Sequence, residues 1–71
     1  MKRYLVVVEH TDTGFSAYSP DLPGCVSTGR TRGEVEANMR EAIEFHIEGL
    51  RLEGYPVPEP SSESTYIDVA A

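Results

Sequence analysis

Gly14-Phe15-Ser16-Ala17-Tyr18-Ser19-Pro20-Asp21-Leu22-Pro23-Gly24-Cys25 reads as a short strand, a stiff turn and the start of another strand. Pro20 and Pro23 each fix their own φ and push the residue before them towards an extended conformation. Gly24 lets the chain reverse. The turn is stiffer than a plain connection needs, and its Asp21-Leu22-Pro23 tip is expected to stand exposed at one end of a sheet.

Working outward, Tyr4-Leu5-Val6-Val7-Val8-Glu9 is rich in β-branched and aromatic residues and predicts a strand. Tyr4, Val6 and Val8 occupy one face and Leu5 and Val7 the other, the pattern of an internal strand covered on both sides. Thr11-Asp12-Thr13-Gly14 is a turn that joins it to the returning strand Phe15 to Ser19 as a hairpin. Cys25 to Gly29 is a third, short strand. Thr31-x-x-Glu34 is a capping box that opens a helix. Val35, Met39, Ala42, Ile43, His46, Ile47 and Leu50 then recur at three- and four-residue spacing as one apolar stripe. Glu36 and Arg40 are placed as an i,i+4 pair on another face. Gly54 is a C-cap, and Pro56 prevents continuation. Pro56-Val57-Pro58-Glu59-Pro60 is extended and semi-rigid, and the alternation in Tyr66-Ile67-Asp68-Val69 predicts a last strand.

The expected fold is therefore α+β, a single small β-β-β-α-β domain over residues 1–71. Its four-stranded mixed sheet would run in the order 3-2-1-4, with one helix on one face. Strand 4 would return parallel to strand 1 through a right-handed crossover. The other sheet face is left uncovered, with Tyr18 and Tyr66 expected to join the apolar residues of strand 1 there. An uncovered apolar patch on a small domain marks an interaction site.

At 71 residues the core is thin, since a domain of this size buries only about 60% of its unfolded surface. Chains this short usually add disulfides, a metal or an oligomeric interface. Cys25 is the only cysteine, and His10 and His46 lack partners at metal-ligand spacing. An interface remains. The apolar run from Tyr4 to Val8 is too short for a signal peptide, and no stretch approaches a membrane span. One unpaired thiol suits a reducing compartment, so a cytoplasmic location is expected. A net charge of −6 disfavours gripping nucleic acid unaided and suits a basic partner.

No catalytic site is expected. Asp12 and Asp21 sit in turns at opposite ends of one strand, so they cannot converge with Glu9 on a metal pair. Cys25 lacks a neighbouring base and reads as a buried structural thiol. Arg30 and Arg32 flank the helix start, a placement that can mark contact with an acidic group, but no phosphate-binding loop accompanies them.

The block Gly14 to Cys25 resembles the HicB antitoxin family. So do the strand Tyr4 to Glu9, Thr28-Gly29-Arg30-Thr31, the helical Asn38-Met39-Arg40-Glu41-Ala42-Ile43-Glu44-Phe45-His46 and the exit Gly54-Tyr55-Pro56-Val57-Pro58-Glu59-Pro60. The resemblance covers nearly the whole chain. It implies a partial RNase H-like fold, which does not itself imply nuclease activity, since the carboxylate cluster is missing. It also implies a type II toxin–antitoxin role: binding and inhibiting HicA, a small basic mRNA-cleaving toxin that uses a histidine, and assembly as a homodimer or higher homo-oligomer. Many family members add a C-terminal helix-turn-helix or ribbon-helix-helix domain. The sequence stops at Ala71 after the expected fourth strand, so no such module and no direct nucleic-acid binding are expected. No cofactor or metal is expected either. Tyr18, Asp21, Leu22, Pro23 and Tyr66 are the expected partner-binding residues. The alternative is a stand-alone homo-oligomeric scaffold or regulatory binder with no toxin.

Overall fold

The computed structural model describes residues 1–71. Three strands, β1 (Val7–Thr11), β2 (Gly14–Tyr18) and β3 (Val26–Gly29), are followed by one long helix, α1 (Arg32–Leu52). The sheet is antiparallel throughout, in the order β1-β2-β3. The α+β class and the meander stand as expected from the sequence.

Two expectations are corrected. Tyr66 to Val69 forms no strand, and β1 is an edge strand rather than an internal one. The cause lies in the chain between Leu52 and Tyr66. The Tyr4 hydroxyl donates to the Pro58 carbonyl (2.6 Å), Lys2 pairs with Glu59 (3.0 Å), and the backbone and side chains of Ser61 and Ser62 all donate to Asp21. These contacts fix the register, so the polar stretch 60–64 lies beside residues 3–6 and the strand-prone stretch is carried past them. Pro56, Pro58 and Pro60 have no N–H to offer a ladder. None of the 33 backbone–backbone hydrogen bonds involves residues 56–71.

The helix starts where its capping residues dictate. Thr31 is the N-cap, and its hydroxyl accepts from the Glu34 N–H (3.0 Å). The Glu34 carboxylate reaches one residue further back than a capping box requires and accepts from the Arg30 N–H (3.0 Å). At the other end Gly54 takes φ 75°. There the Tyr55 N–H donates to Leu50 and the Gly54 N–H to Arg51, the paired bonds of a Schellman stop. The stripe from Val35 to Leu50 is buried or half-buried at all seven positions. Arg32, not Arg40, pairs with Glu36 (2.8 Å), so Arg40 is left free.

The turn between β2 and β3 does not present its tip to solvent. Ser19 and Leu22 exchange a turn bond, Leu22 and Cys25 another, and the buried Ser19 hydroxyl donates to the Leu5 carbonyl (2.9 Å). This double turn folds Leu22 inward, where it is 0% exposed, while Pro23 stays outside. Leu22 then packs with Ala17, Cys25, Val35 and Met39 as the core. Only six of 71 residues are fully buried, so each core side chain carries a large share of the stability.

Candidate protein-binding surface

The register of the sheet sorts its side chains. Val7 faces Tyr18 across β1 and β2, and Tyr18 faces Val26 across β2 and β3. With strict alternation along each strand, this row lies on the face away from α1, because Ala17 one position earlier is in the core. Tyr18 is 40% exposed and Val26 more so. The open face expected from the sequence therefore exists, centred on an aromatic side chain flanked by two valines. Leu5 precedes Val7 on the same face by alternation, and Glu9 follows it.

A second exposed apolar feature lies on the outer side of α1. Glu41, Phe45, Glu48 and Leu52 succeed one another at helical spacing, and all four are exposed. Phe45 carries a signal legible in the sequence. A phenylalanine out of phase with the apolar stripe must point away from the core. Its acidic neighbours make this side of the helix suited to a basic surface carrying an apolar recess.

Of the five expected binding residues, the structure leaves Tyr18 and Pro23 at the surface and moves the others into different roles. Leu22 is core. Tyr66 is 99% exposed but lies in the extended C-terminal stretch and does not join the sheet face. Asp21 is occupied within the chain. Its Oδ2 accepts the Ser61 and Ser62 N–H groups (3.0 Å each), and its Oδ1 accepts their hydroxyls (3.1 and 2.8 Å). These bonds, the Ser62 N–H foremost, favour the ionised carboxylate and lower its pKa from 3.8 to about 2. Since the folded value is the lower one, this clamp is complete above pH 3.8 and is lost as pH falls through about 2. Asp21→Asn should release the clamp at neutral pH. Hydrogen exchange at the Ser61 and Ser62 amides should rise severalfold while the helix stays protected, and unchanged exchange would show that the charge is not what holds the tail.

Burial pushes the Cys25 thiol pKa up, which disfavours the thiolate. Asp12 sits in the β1–β2 turn, away from Asp21. No group of three or more His, Cys, Asp or Glu side chains is gathered as a metal would need, and no helix is long and apolar enough to cross a membrane.

Residues 4–70 match the family described as "HicB_like antitoxin of bacterial toxin-antitoxin system". The chain belongs to the HicB-like antitoxin family. The likeness first seen around the Gly14-to-Cys25 block is thus borne out across the HicB-like domain. Antitoxin HicB 2 of Photorhabdus laumondii is 32% identical over 74 residues, covering 97% of this chain and 50% of that protein. An uncharacterised 14.9 kDa protein of Haemophilus phage HP1 is 37% identical over 65 residues, covering 92% of this chain and 49% of its own. The chain therefore spans about half the length of these two relatives. Among solved structures, a chain of a "HicA3 and HicB3 toxin-antitoxin complex" superposes with a TM-score of 0.74 and 38% identity. That match covers 84% of this HicB-like chain and 70% of the other.

Proposed function

We propose that this chain is the toxin-binding part of a type II antitoxin, which inhibits a HicA-like mRNA-cleaving toxin by covering it rather than by catalysis. The observation that carries the reading is the 0.74 TM-score and 38% identity to a chain of a toxin–antitoxin complex, over 84% of the present chain. Surface chemistry supports it. A net charge of −6 suits a small basic toxin. Val7, Tyr18 and Val26 offer an aromatic-centred apolar row of the kind that anchors interfaces, and Pro23 stands at the surface between β2 and β3. The RNase H-like kinship belongs to the same proposal and is supported by three antiparallel strands followed by a helix. A lone buried thiol suits the cytoplasm.

The test is co-purification with, and inhibition of, the HicA-like protein encoded beside it, read as protection of mRNA from cleavage. Tyr18→Ala should leave the fold intact and weaken toxin binding by about 2 kcal/mol, roughly thirtyfold. A chain that neither co-elutes with such a toxin nor blocks cleavage would overturn the reading. If binding survives Tyr18→Ala but fails in Phe45→Glu, the contact surface moves to the helix.

A further inference from the structure

We infer that the groove between α1 and the N-terminal stretch leading into β1 receives the C-terminal arm, Thr65 to Val69, of a second copy of this chain, each copy exchanging its arm with the other. This inference stands apart from the toxin reading and would hold for a chain without a toxin.

The charge distribution points to an acidic occupant. The chain is strongly acidic, yet four of its six basic residues, Lys2, Arg3, Arg32 and Arg40, line this one groove of about 710 Å³. Lys2 and Arg32 are already paired, with Glu59 and Glu36. Arg3 and Arg40 have no acidic partner within salt-bridge distance, and they flank a floor that includes Val6 and Ile43. α1 packs over β2 and β3 and makes no comparable contact with β1, so this floor is left open. Glu36 and Glu44 line the groove as well, but Glu36 is paired with Arg32, so its unpaired side chains keep a positive excess that favours an acidic occupant over a basic one. An acidic segment bearing apolar side chains would be held by it.

The chain supplies a segment with that chemistry. Tyr66, Ile67 and Val69 are 99%, 77% and 76% exposed, and Asp68 among them is unpaired. Three large apolar groups left in water on one short extended stretch call for a partner surface. They do not reach the groove of their own copy, because the Asp21 clamp and Pro60 hold residues 60–64 along residues 3–6 and send the arm onward. The radius of gyration, 13.8 Å, exceeds the roughly 11 Å of a compact chain of this length, as a projecting arm requires. Five extended residues span about 17 Å, enough to lie along a neighbour's groove. Reciprocal exchange closes as a two-fold dimer and fills both grooves.

The test uses the full chain in two variants, Arg40→Glu in the groove and Ile67→Asp in the arm, with light scattering across concentration. Wild type should be a dimer. Each variant alone should weaken dimerisation at least roughly tenfold, by removing a central contact or reversing a charge. Mixed one to one, the two variants should recover dimer, since the intact arm of the groove variant enters the intact groove of the arm variant. Circular dichroism of each variant verifies that helix and sheet remain. A wild-type monomer at high micromolar concentration overturns the proposal. So does a dimer indifferent to Ile67→Asp, or a mixture no more dimeric than its components. Wild-type chain that stays monomeric but binds an acidic partner protein through Arg40 would show that the groove serves another molecule.

Discussion

Leu22→Ala should lower the folding free energy by about 3 kcal/mol, because it opens a cavity at a fully buried position. The whole domain is expected to hold roughly 4–10 kcal/mol, so this one truncation removes a large fraction of its stability. The melting midpoint should fall by roughly 12–24 °C. Leu22→Met, which conserves volume, should lose less than about 1.5 kcal/mol and serves as the control. The measurement also separates two readings of the same residue. From its place between two prolines, Leu22 looks like a surface contact whose loss would weaken partner binding and leave the fold alone. In the structure it is the plug of the core, touching the cluster of Ala17, Cys25, Val35 and Met39. An alanine variant that melts like wild type and loses only binding would return Leu22 to the surface.

Gly29→Ala should destabilise the fold by about 1–3 kcal/mol, and Gly29→Val by more. A Cβ on Gly29 would lie 2.5 Å from the Val35 nitrogen, 2.8 Å from its Cα and 3.0 Å from the Glu34 carbonyl carbon. All three are backbone atoms of the first helical turn, so no side chain can swing aside. β3 and the start of α1 touch backbone to backbone here, and any side chain forces them apart. Gly49 provides the opposite case, because a Cβ there meets nothing within 4 Å. Gly49→Ala should therefore stabilise the helix by about 1 kcal/mol. Urea denaturation of the two variants should give shifts of opposite sign. Equal shifts would mean that helix propensity rather than close packing governs both sites.

The parts of the fold that were legible from sequence are those whose chemistry is local. The Thr31–Glu34 cap, the Gly54 stop and the stripe from Val35 to Leu50 each depend on residues within a turn or two of one another. The meander followed because each of its turns carries its own breakers. What escaped depends on contacts between distant residues. Tyr66 to Val69 alternates like a strand, but whether it pairs is decided by Asp21, about forty residues earlier, gripping Ser61 and Ser62. Asp21 looked like an ordinary turn residue because its partners lie in an unremarkable serine pair. The burial of Leu22 is hidden for a related reason: the doubled turn bonds among Ser19, Leu22 and Cys25 rotate it inward, and proline spacing alone does not reveal that. Within the candidate surface, Tyr18 was readable from strand alternation. Phe45 was equally readable and is the residue that the helical phase should have flagged.

The proline-bearing stretch after the helix also bears on how this protein behaves when it is concentrated. β1 is a sheet edge, and bare edges recruit further strands into fibrils. Its approach, residues 3–6, is shielded by a segment running from Pro60 to Ser64, which forms no backbone–backbone hydrogen bonds and does not template a ladder. The Asp21 carboxylate takes four of the hydrogen bonds that fasten that shield, beside the Tyr4–Pro58 bond and the Lys2–Glu59 pair. Strong acid, which neutralises Asp21, should therefore uncover residues 3–6 beside the edge and make fibril growth faster below about pH 2 than at neutral pH.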